Sequence, residues 1–242
     1  MTGRQLLLVF ALGLVAAGAG VAHVLVSGTG AETLAEYYPL EPVGRRWEYV
    51  LTEFDPSTGT MRKGTAIFEV ETGTFDGTPT VVLGVERVMP EAPGVSASTV
   101  RVLNHLVVGG DRIEQKAVEW KSANDPSDLG RVTYAPPLVV GRLPLAPGST
   151  WEASSQIITP RDGQSAVRAE SKRYARVVGR ETVEVPAGRF DALRFEIRTM
   201  TAGPGNLRPA ESIRTEWRVR GVGLVRLAES QFDLALSSPV KK

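Results

Sequence analysis

Residues Glu181 to Ile197 alternate between apolar and polar side chains, with one interruption. Successive side chains of a β-strand point to opposite faces, so this alternation is typical of a half-buried strand. The interruption is Pro186-Ala187-Gly188. Proline fixes its own φ and glycine accepts positive φ, which suits a tight reversal between antiparallel strands. The segment therefore predicts a β-hairpin.

The same order of strand, tight turn and strand recurs through the rest of the chain. Turn residues cluster at Asp55–Gly59, Asp76-Gly77, Gly109–Asp111 and Gly221–Gly223, and the intervening segments show no convincing helical period. We predict an all-β body, a curved antiparallel sheet or half-open barrel of about 10–12 strands, preceded by one N-terminal hydrophobic helix.

Three local strand predictions follow from the same patterns. Two strands are expected at Val167–Val178 and Thr182–Val185, and one strand at Gly223–Leu234. Tyr134–Pro147 contains four prolines, which cannot donate to a sheet ladder. We expect this segment at a sheet edge or as a connection across one end of the sheet.

The N-terminal segment Leu6–Val26 is apolar or small at every position except His23. A helix of about 20 residues spans the hydrocarbon core of a bilayer. A signal peptide has a shorter apolar core followed by small residues, and Leu6–Val15 followed by Ala16–Ala19 fits that description. Both a signal-anchor and a cleaved signal peptide therefore stay open.

The leader also predicts the location of the body. A single cation, Arg4, precedes the apolar run and places the N-terminus in the cytoplasm. The expected organisation is a leader at 1–27, a linker at 28–36 and a β domain at 37–242. The membrane is the expected partner of residues 6–26, and the body is inner-membrane-anchored or secreted, on the periplasmic side.

Composition excludes several classes of function. The chain has 28 Lys plus Arg and 27 Asp plus Glu, interspersed along its length, whereas a nucleic-acid binder needs a basic patch. It has no cysteine, which excludes disulfides, thiolate metal sites, a cysteine nucleophile and the acylated cysteine of a lipoprotein. No nucleic-acid partner is expected.

Few residues suggest catalysis. His105 is the only histidine of the body and has Asp111 near it in sequence, which is not enough to infer a nucleophile–base arrangement. Glu69 and Glu71 share one face of a predicted strand, as solvated residues do. The loop Asn124–Asp128 matches no calcium-binding pattern. We predict a structural or surface role for His105, and no catalytic residue, metal site or cofactor.

The aromatic side chains are the remaining candidates for a site. Most of them are expected to fill the core. The alternative is a concave apolar groove for a lipid or acyl chain. The residues assigned to such a groove are Trp47, Tyr49, Trp151 and Trp217.

One internal similarity links two parts of the chain. Gly44 and Trp47, which follow Pro39-Leu40, are matched by Gly148 and Trp151, which follow Pro144-Leu145. A duplication and a shared way of starting a strand both explain this pattern.

Four motifs resemble those of a loosely defined group of bacterial exported domains, mostly uncharacterised. The motifs are Tyr-Tyr-Pro-Leu at 37–40, Gly-x-x-Trp-x-Tyr at 44–49, Glu-x-Val-x-Val-Pro-Ala-Gly-x-Phe-x-Ala at 181–192, and Gly-Val-Gly-Leu-Val at 221–225. More remotely, the body resembles the half-open barrels of Lol-type lipoprotein carriers, although the covering helices of those carriers have no counterpart in this sequence. The resemblance implies no catalytic residues.

These observations predict a non-enzymatic, membrane-tethered or secreted cell-envelope β domain. It would bind an envelope partner or an apolar, lipid-like ligand. One alternative is a hydrolase or isomerase that uses carboxylates distant in sequence. Another is a structural envelope component that pairs with a partner through an exposed edge strand.

Overall fold

The structure is a computed structural model that describes residues 33–55, 58–92, 95–125, 127, 129–161, 164–203 and 209–238. The predicted leader and most of the predicted linker, residues 1–32, lie outside the described residues. Within the described ranges, no helix has the length and apolar character needed to cross a bilayer.

The described chain folds into a one-turn helix followed by a closed antiparallel barrel of twelve strands. Each strand pairs with its neighbours in sequence, and the first strand pairs with the last. The elements are α1 (Leu34–Tyr37), β1 (Arg46–Asp55), β2 (Thr60–Phe75), β3 (Thr78–Met89), β4 (Ser98–Val108), β5 (Arg112–Ser122), β6 (Leu129–Arg142), β7 (Thr150–Arg161), β8 (Gln164–Val185), β9 (Gly188–Ala202), β10 (Ala210–Val219), β11 (Gly223–Glu229) and β12 (Phe232–Leu236).

The all-β, antiparallel prediction is confirmed, but the half-open barrel is wrong. Closure comes from β12, which pairs with β1 from Tyr49 opposite Leu236 to Glu53 opposite Phe232. The sequence suggested a single strand at Gly223–Leu234, whereas a turn after Glu229 divides that segment into β11 and β12. The second of these strands supplies the closing edge.

The region expected to form two strands before the Pro-Ala-Gly turn is one continuous strand, β8. A register shift between Val177 and Gly179 accommodates the irregularity that suggested a break, as β-bulges do. The predicted hairpin itself is confirmed, because Val185 pairs with Gly188 across the turn. Gly188 has a φ of 133°, which favours glycine there.

The proline-rich segment divides in two: residues 134–142 belong to strand β6, which the prediction missed, and residues 143–147 lie in the connection to β7. The prolines of β6 interrupt its pairing. β6 pairs with β7 only from Thr133 to Ala135. Pro136 and Pro137 follow at once, and the rest of β6 pairs with β5 alone. We call the facing segments 136–142 and 150–155 the β6–β7 seam. The seam is the least paired junction between neighbouring strands, because proline lacks the N–H that a ladder needs.

The two tryptophan motifs have the same local structure. The Gly44 N–H donates to Val70 O at 2.8 Å, and the Gly148 N–H donates to Val177 O at 2.7 Å. The two glycines have φ values of 85° and 89°. The motifs start β1 and β7, which lie six positions apart in the ring of twelve. A duplication and a shared way of starting a strand both explain this common geometry.

The segment before β1 covers one end of the barrel. Leu34 and Tyr37 of α1 are buried, as are Tyr38 and Leu40 after it. Arg220, in the turn between β10 and β11, is ion-paired with Glu36. The last residues of the predicted linker, 33–36, therefore belong to the folded domain, and Tyr38 reaches into its interior.

Candidate functional site

The structure brings together two of the four aromatic residues predicted to line a groove. Trp47 and Tyr49 both point inward from β1 and are buried. Trp151 also points inward, but from β7 on the opposite side of the ring. Trp217 faces outward from β10, where its Nε1 donates to Glu181 and Arg226 lies over its ring. The four residues do not form one groove.

Trp47 and Tyr49 line an apolar depression beneath the segment that covers the barrel end. Its cavity volume is about 20 Å³, and the space between its walls, including the part open to solvent, is about 280 Å³. The Trp47 Nε1–H donates to Val222 O at 2.7 Å, and the Tyr49 hydroxyl donates to Leu224 O at 2.8 Å. Their polar atoms are thus bonded to the chain, and their rings face the depression. The lining residues are Pro39, Leu40, Trp47, Tyr49, Phe68, Leu83, Arg218, Gly223 and Leu224.

Arg218 is the one charged residue in this lining. Its guanidinium carbon lies 3.9 Å from the centroid of the Tyr38 ring, which is within the range of a cation–π contact. Its Nη1 donates to Tyr37 O at 3.3 Å, and its Nε and Nη2 donate to Glu216 Oε2 at 3.0 and 2.9 Å. Arg218 therefore connects the depression to the barrel interior.

Glu216 lies between two arginines in the interior. Its second oxygen, Oε1, is 2.9 Å from Arg214 Nε. Burial alone would raise the pKa of Glu216, but the positive charges of Arg214 and Arg218 outweigh burial and leave the pKa below its ordinary value. The carboxylate is therefore ionised at neutral pH.

A third arginine belongs to the same inner face. Arg173 lies on β8, and burial, followed by repulsion from Arg214, lowers its pKa to about 10. It is still charged at neutral pH. Tyr134 interacts electrostatically with both arginines, and burial raises the pKa of its hydroxyl. We refer to Arg173, Arg214, Glu216 and Arg218 as the arginine cluster; all four residues are at most 5% exposed.

Two buried hydrogen-bond donors lie beside the cluster. The ring of Phe195, whose register partner on β10 is Glu216, makes edge contacts with Tyr38 and Trp151 at centroid distances of 6.4 and 6.3 Å. Tyr38 Oη and Trp151 Nε1 have no hydrogen-bond partner among the described residues. Buried polar groups are rarely left unbonded.

Glu229 is the other carboxyl group near the cluster. It accepts a hydrogen bond from the Ser212 hydroxyl at 2.7 Å. Burial raises its pKa above the ordinary value, opposed by that hydrogen bond and by Arg214. Glu229 is also the register partner of Arg214 across β10 and β11, so it is a second carboxyl group facing the arginines.

His105 lies outside this site, on the side of β4 that faces away from the barrel interior. Its Nδ1 is 3.3 Å from Thr80 Oγ1, its Nε2 is 3.7 Å from Glu119 Oε2, and its ring packs on Phe75. Among the described residues, no group of three His, Cys, Asp or Glu side chains is placed to hold a metal ion. The structural role predicted for His105 accords with its burial, at 6% exposure.

Sequence reasoning missed the arginine cluster because it placed Trp217 in the core or in a groove, whereas Trp217 faces outward from β10 and the charged residues beside it are buried. Arg214, Glu216 and Arg218 alternate along that strand with less polar residues, Trp217 among them. Such a pattern favours the apolar face as the buried one, yet the charged face is buried and Ile213 is 60% exposed. The sequence shows that side chains alternate between the two faces of β10, but it does not show that the charged face is the buried one.

No protein-family model matches the sequence, and no curated protein matches it. Two solved structures are similar. One is a candidate exported protein with a YmcC-like fold from Bacteroides fragilis, with a TM-score of 0.46 and 14% identity over 83% of this chain and 97% of that one. The other is a candidate lipoprotein from Parabacteroides distasonis, with a TM-score of 0.45 and 17% identity over 83% of this chain and 96% of that one. Similarity of this degree establishes neither a family nor a function.

Proposed function

We propose that this protein is a non-enzymatic cell-envelope domain that binds a small ligand with an apolar part at the Trp47–Tyr49 end of its barrel. The observation that carries the proposal is the depression there, which is lined by apolar side chains and one buried charged residue, Arg218. Ligand sites typically combine apolar walls with a few fixed polar groups.

The size of the depression limits the ligand. Small-molecule sites usually measure about 300–1,000 Å³, whereas the cavity volume of the depression is about 20 Å³, which holds about one water molecule. A ligand therefore enters only if Pro39 and Leu40 move, because they form part of the lining. A single short acyl chain needs less displacement of these residues than a diacyl lipid does.

The cell-envelope location rests on the leader. An apolar run at residues 6–26 after a single cation is what exported and membrane-anchored proteins carry. The location and the manner of attachment are part of the proposal.

The alternatives have less support in the structure. Each described strand has two neighbours in the ring, so pairing with a partner through an edge strand is limited to the β6–β7 seam. No carboxylate lines the depression within the described residues, so no observation favours a carboxylate-dependent hydrolase or isomerase.

Native mass spectrometry tests the proposal on protein made with its own leader in a bacterial host and extracted in two different detergents. We expect an additional mass that is the same in both extracts. The intact mass also shows whether the leader is cleaved.

A filling substitution makes the test specific to the depression. Leu83→Phe adds bulk to the lining and should remove the additional mass, whereas Leu129→Phe, at an exposed position, should retain it. A protein with no additional mass in either detergent, or with equal loading of both variants, would contradict the proposal.

A further inference from the structure

The arginine cluster contains more positive than negative charge. Three guanidinium groups face two carboxyl groups, Glu216 and Glu229, the second of which is the register partner of Arg214. With both carboxyl groups ionised, the formal charge is three minus two, or +1. Glu229, the carboxyl group nearby, has a pKa raised by burial. Burying net charge is unfavourable unless it is compensated. The three arginines therefore carry an excess of positive charge inside the barrel.

The hydrogen-bonding groups around the cluster include more donors than acceptors. Arginine and the indole of tryptophan can only donate, and a neutral tyrosine can donate one hydrogen bond. The Trp151 Nε1–H and the Tyr38 hydroxyl have no hydrogen-bond partner among the described residues, and both rings contact Phe195 next to Glu216. This surplus of donors is complementary to a ligand that carries acceptors.

One residue, Arg218, belongs both to the arginine cluster and to the lining of the depression. Arg218 lines the depression and also binds Glu216 and the Tyr37 carbonyl. A ligand whose chain lies against Trp47 and Tyr49 would have its end directed toward Arg218. The contact between Arg218 and the ring of Tyr38 places the unpartnered tyrosine hydroxyl in the same region.

We infer that the ligand carries a single anionic group, a carboxylate or a phosphate, and that the arginine cluster binds this group while the depression holds its apolar chain. The inference rests on the proposed function for the apolar chain. The anion would accept hydrogen bonds from guanidinium groups, which bind planar oxyanions in a forked geometry. It would also compensate the excess charge of the cluster.

Four probes separate the contributions of chain and charge: octanoate, octyl phosphate, methyl octanoate and inorganic phosphate. Each is titrated into the purified full-length protein by calorimetry and by thermal shift. Octanoate or octyl phosphate should bind at least about tenfold more tightly than methyl octanoate, the ratio expected for a charge-assisted hydrogen bond. Inorganic phosphate tests whether the charge suffices without a chain.

Substitutions test whether the arginine cluster binds the anionic group of the ligand. Arg173→Met removes one positive charge from the cluster and should weaken binding of the charged octyl probes by about tenfold or more, with no effect on methyl octanoate. Arg176→Met is the matched control, because Arg176 lies three residues further along β8 and its side chain is exposed. Arg173→Lys retains the charge and should restore part of the affinity. The lysine variant also provides the test if the methionine variant does not fold.

The outcomes distinguish the inference from the proposed function. Equal affinity for octanoate, octyl phosphate and methyl octanoate, unchanged by Arg173→Met, would overturn the anionic group and leave apolar binding intact. Inorganic phosphate binding as tightly as octyl phosphate would support the anion site and overturn the apolar ligand. Failure of all four probes to bind, together with no additional mass in the native protein, would overturn both.

Discussion

At the scale of single residues, the most unusual feature is the burial of Glu216 between Arg214 and Arg218. A buried ion pair seldom adds much net stability, because desolvation of both charges offsets their attraction. Removing one partner is different, since the remaining charge is left buried without compensation. Glu216 is therefore the residue whose neutralisation should affect stability most, because two arginines depend on it.

We expect Glu216→Gln to lower the free energy of unfolding by about 3–5 kcal/mol at pH 7. This loss in the free energy of unfolding should become smaller as the pH falls. The folded-state pKa of Glu216 is below its ordinary value of 4.5, so its stabilising contribution is complete above the unfolded-state pKa and disappears as the pH falls through the folded-state pKa. Urea denaturation at pH 7 and below pH 4.5 measures both effects.

The matched control is Glu196→Gln. Glu196 pairs with Arg194 on the outer surface, where its side chain is 44% exposed, and exposed pairs contribute about 0–1 kcal/mol. Equal losses for the two variants, or a Glu216→Gln loss that does not depend on pH, would contradict the buried ion-pair network.

At the scale of single elements, β6 and β7 show how local chemistry limits a sheet. Pro136 and Pro137 follow the last residue of β6 that pairs with β7, and beyond them these two strands share no ladder. The sequence correctly indicated that prolines would disturb the sheet here. It did not show that a strand would persist on one side, held by β5.

Hydrogen exchange should reveal the seam. Amides in residues 150–155 of β7 have a ladder partner on the β8 side only. We expect a peptide covering these residues to exchange faster than one covering residues 193–198 of β9, which pairs with both neighbours. Amides without a ladder partner exchange faster, because less of the structure has to open before they reach solvent. Equal protection of the two peptides would show that the seam is closed in solution.

At the scale of the whole molecule, closure depends on one short strand. β12 pairs with both β1 and β11, and its inward residues Phe232, Leu234 and Leu236 are buried. These residues join one cluster of buried apolar side chains that includes residues from every described strand except β10, whose buried residues are Arg214, Glu216 and Arg218. Loss of β12 would expose two strand edges and part of that core.

A chain that ends at Ser230 should therefore lose cooperative unfolding or aggregate. A chain that ends at Ser238 keeps β12 and should unfold in a single transition like the full-length protein. Circular dichroism and tryptophan fluorescence during urea denaturation compare the three proteins. An unchanged midpoint for the chain that ends at Ser230 would show that the barrel does not need β12.

The sequence alone determined the local structure of the body. Alternation marked most strands, and the turns at Pro186-Ala187 and Asp76-Gly77 lie where their φ preferences require, since side-chain direction and turn geometry depend on neighbouring residues only. Tertiary structure decided the rest. Closure pairs Tyr49 with Leu236, from opposite ends of the described chain. The burial of Arg214, Glu216 and Arg218 depends on their ion pairs with one another and on the segment before β1, whose Tyr38 ring lies against Arg218. Alternation gives the period of a strand, but which face is buried is decided only when the other strands surround it.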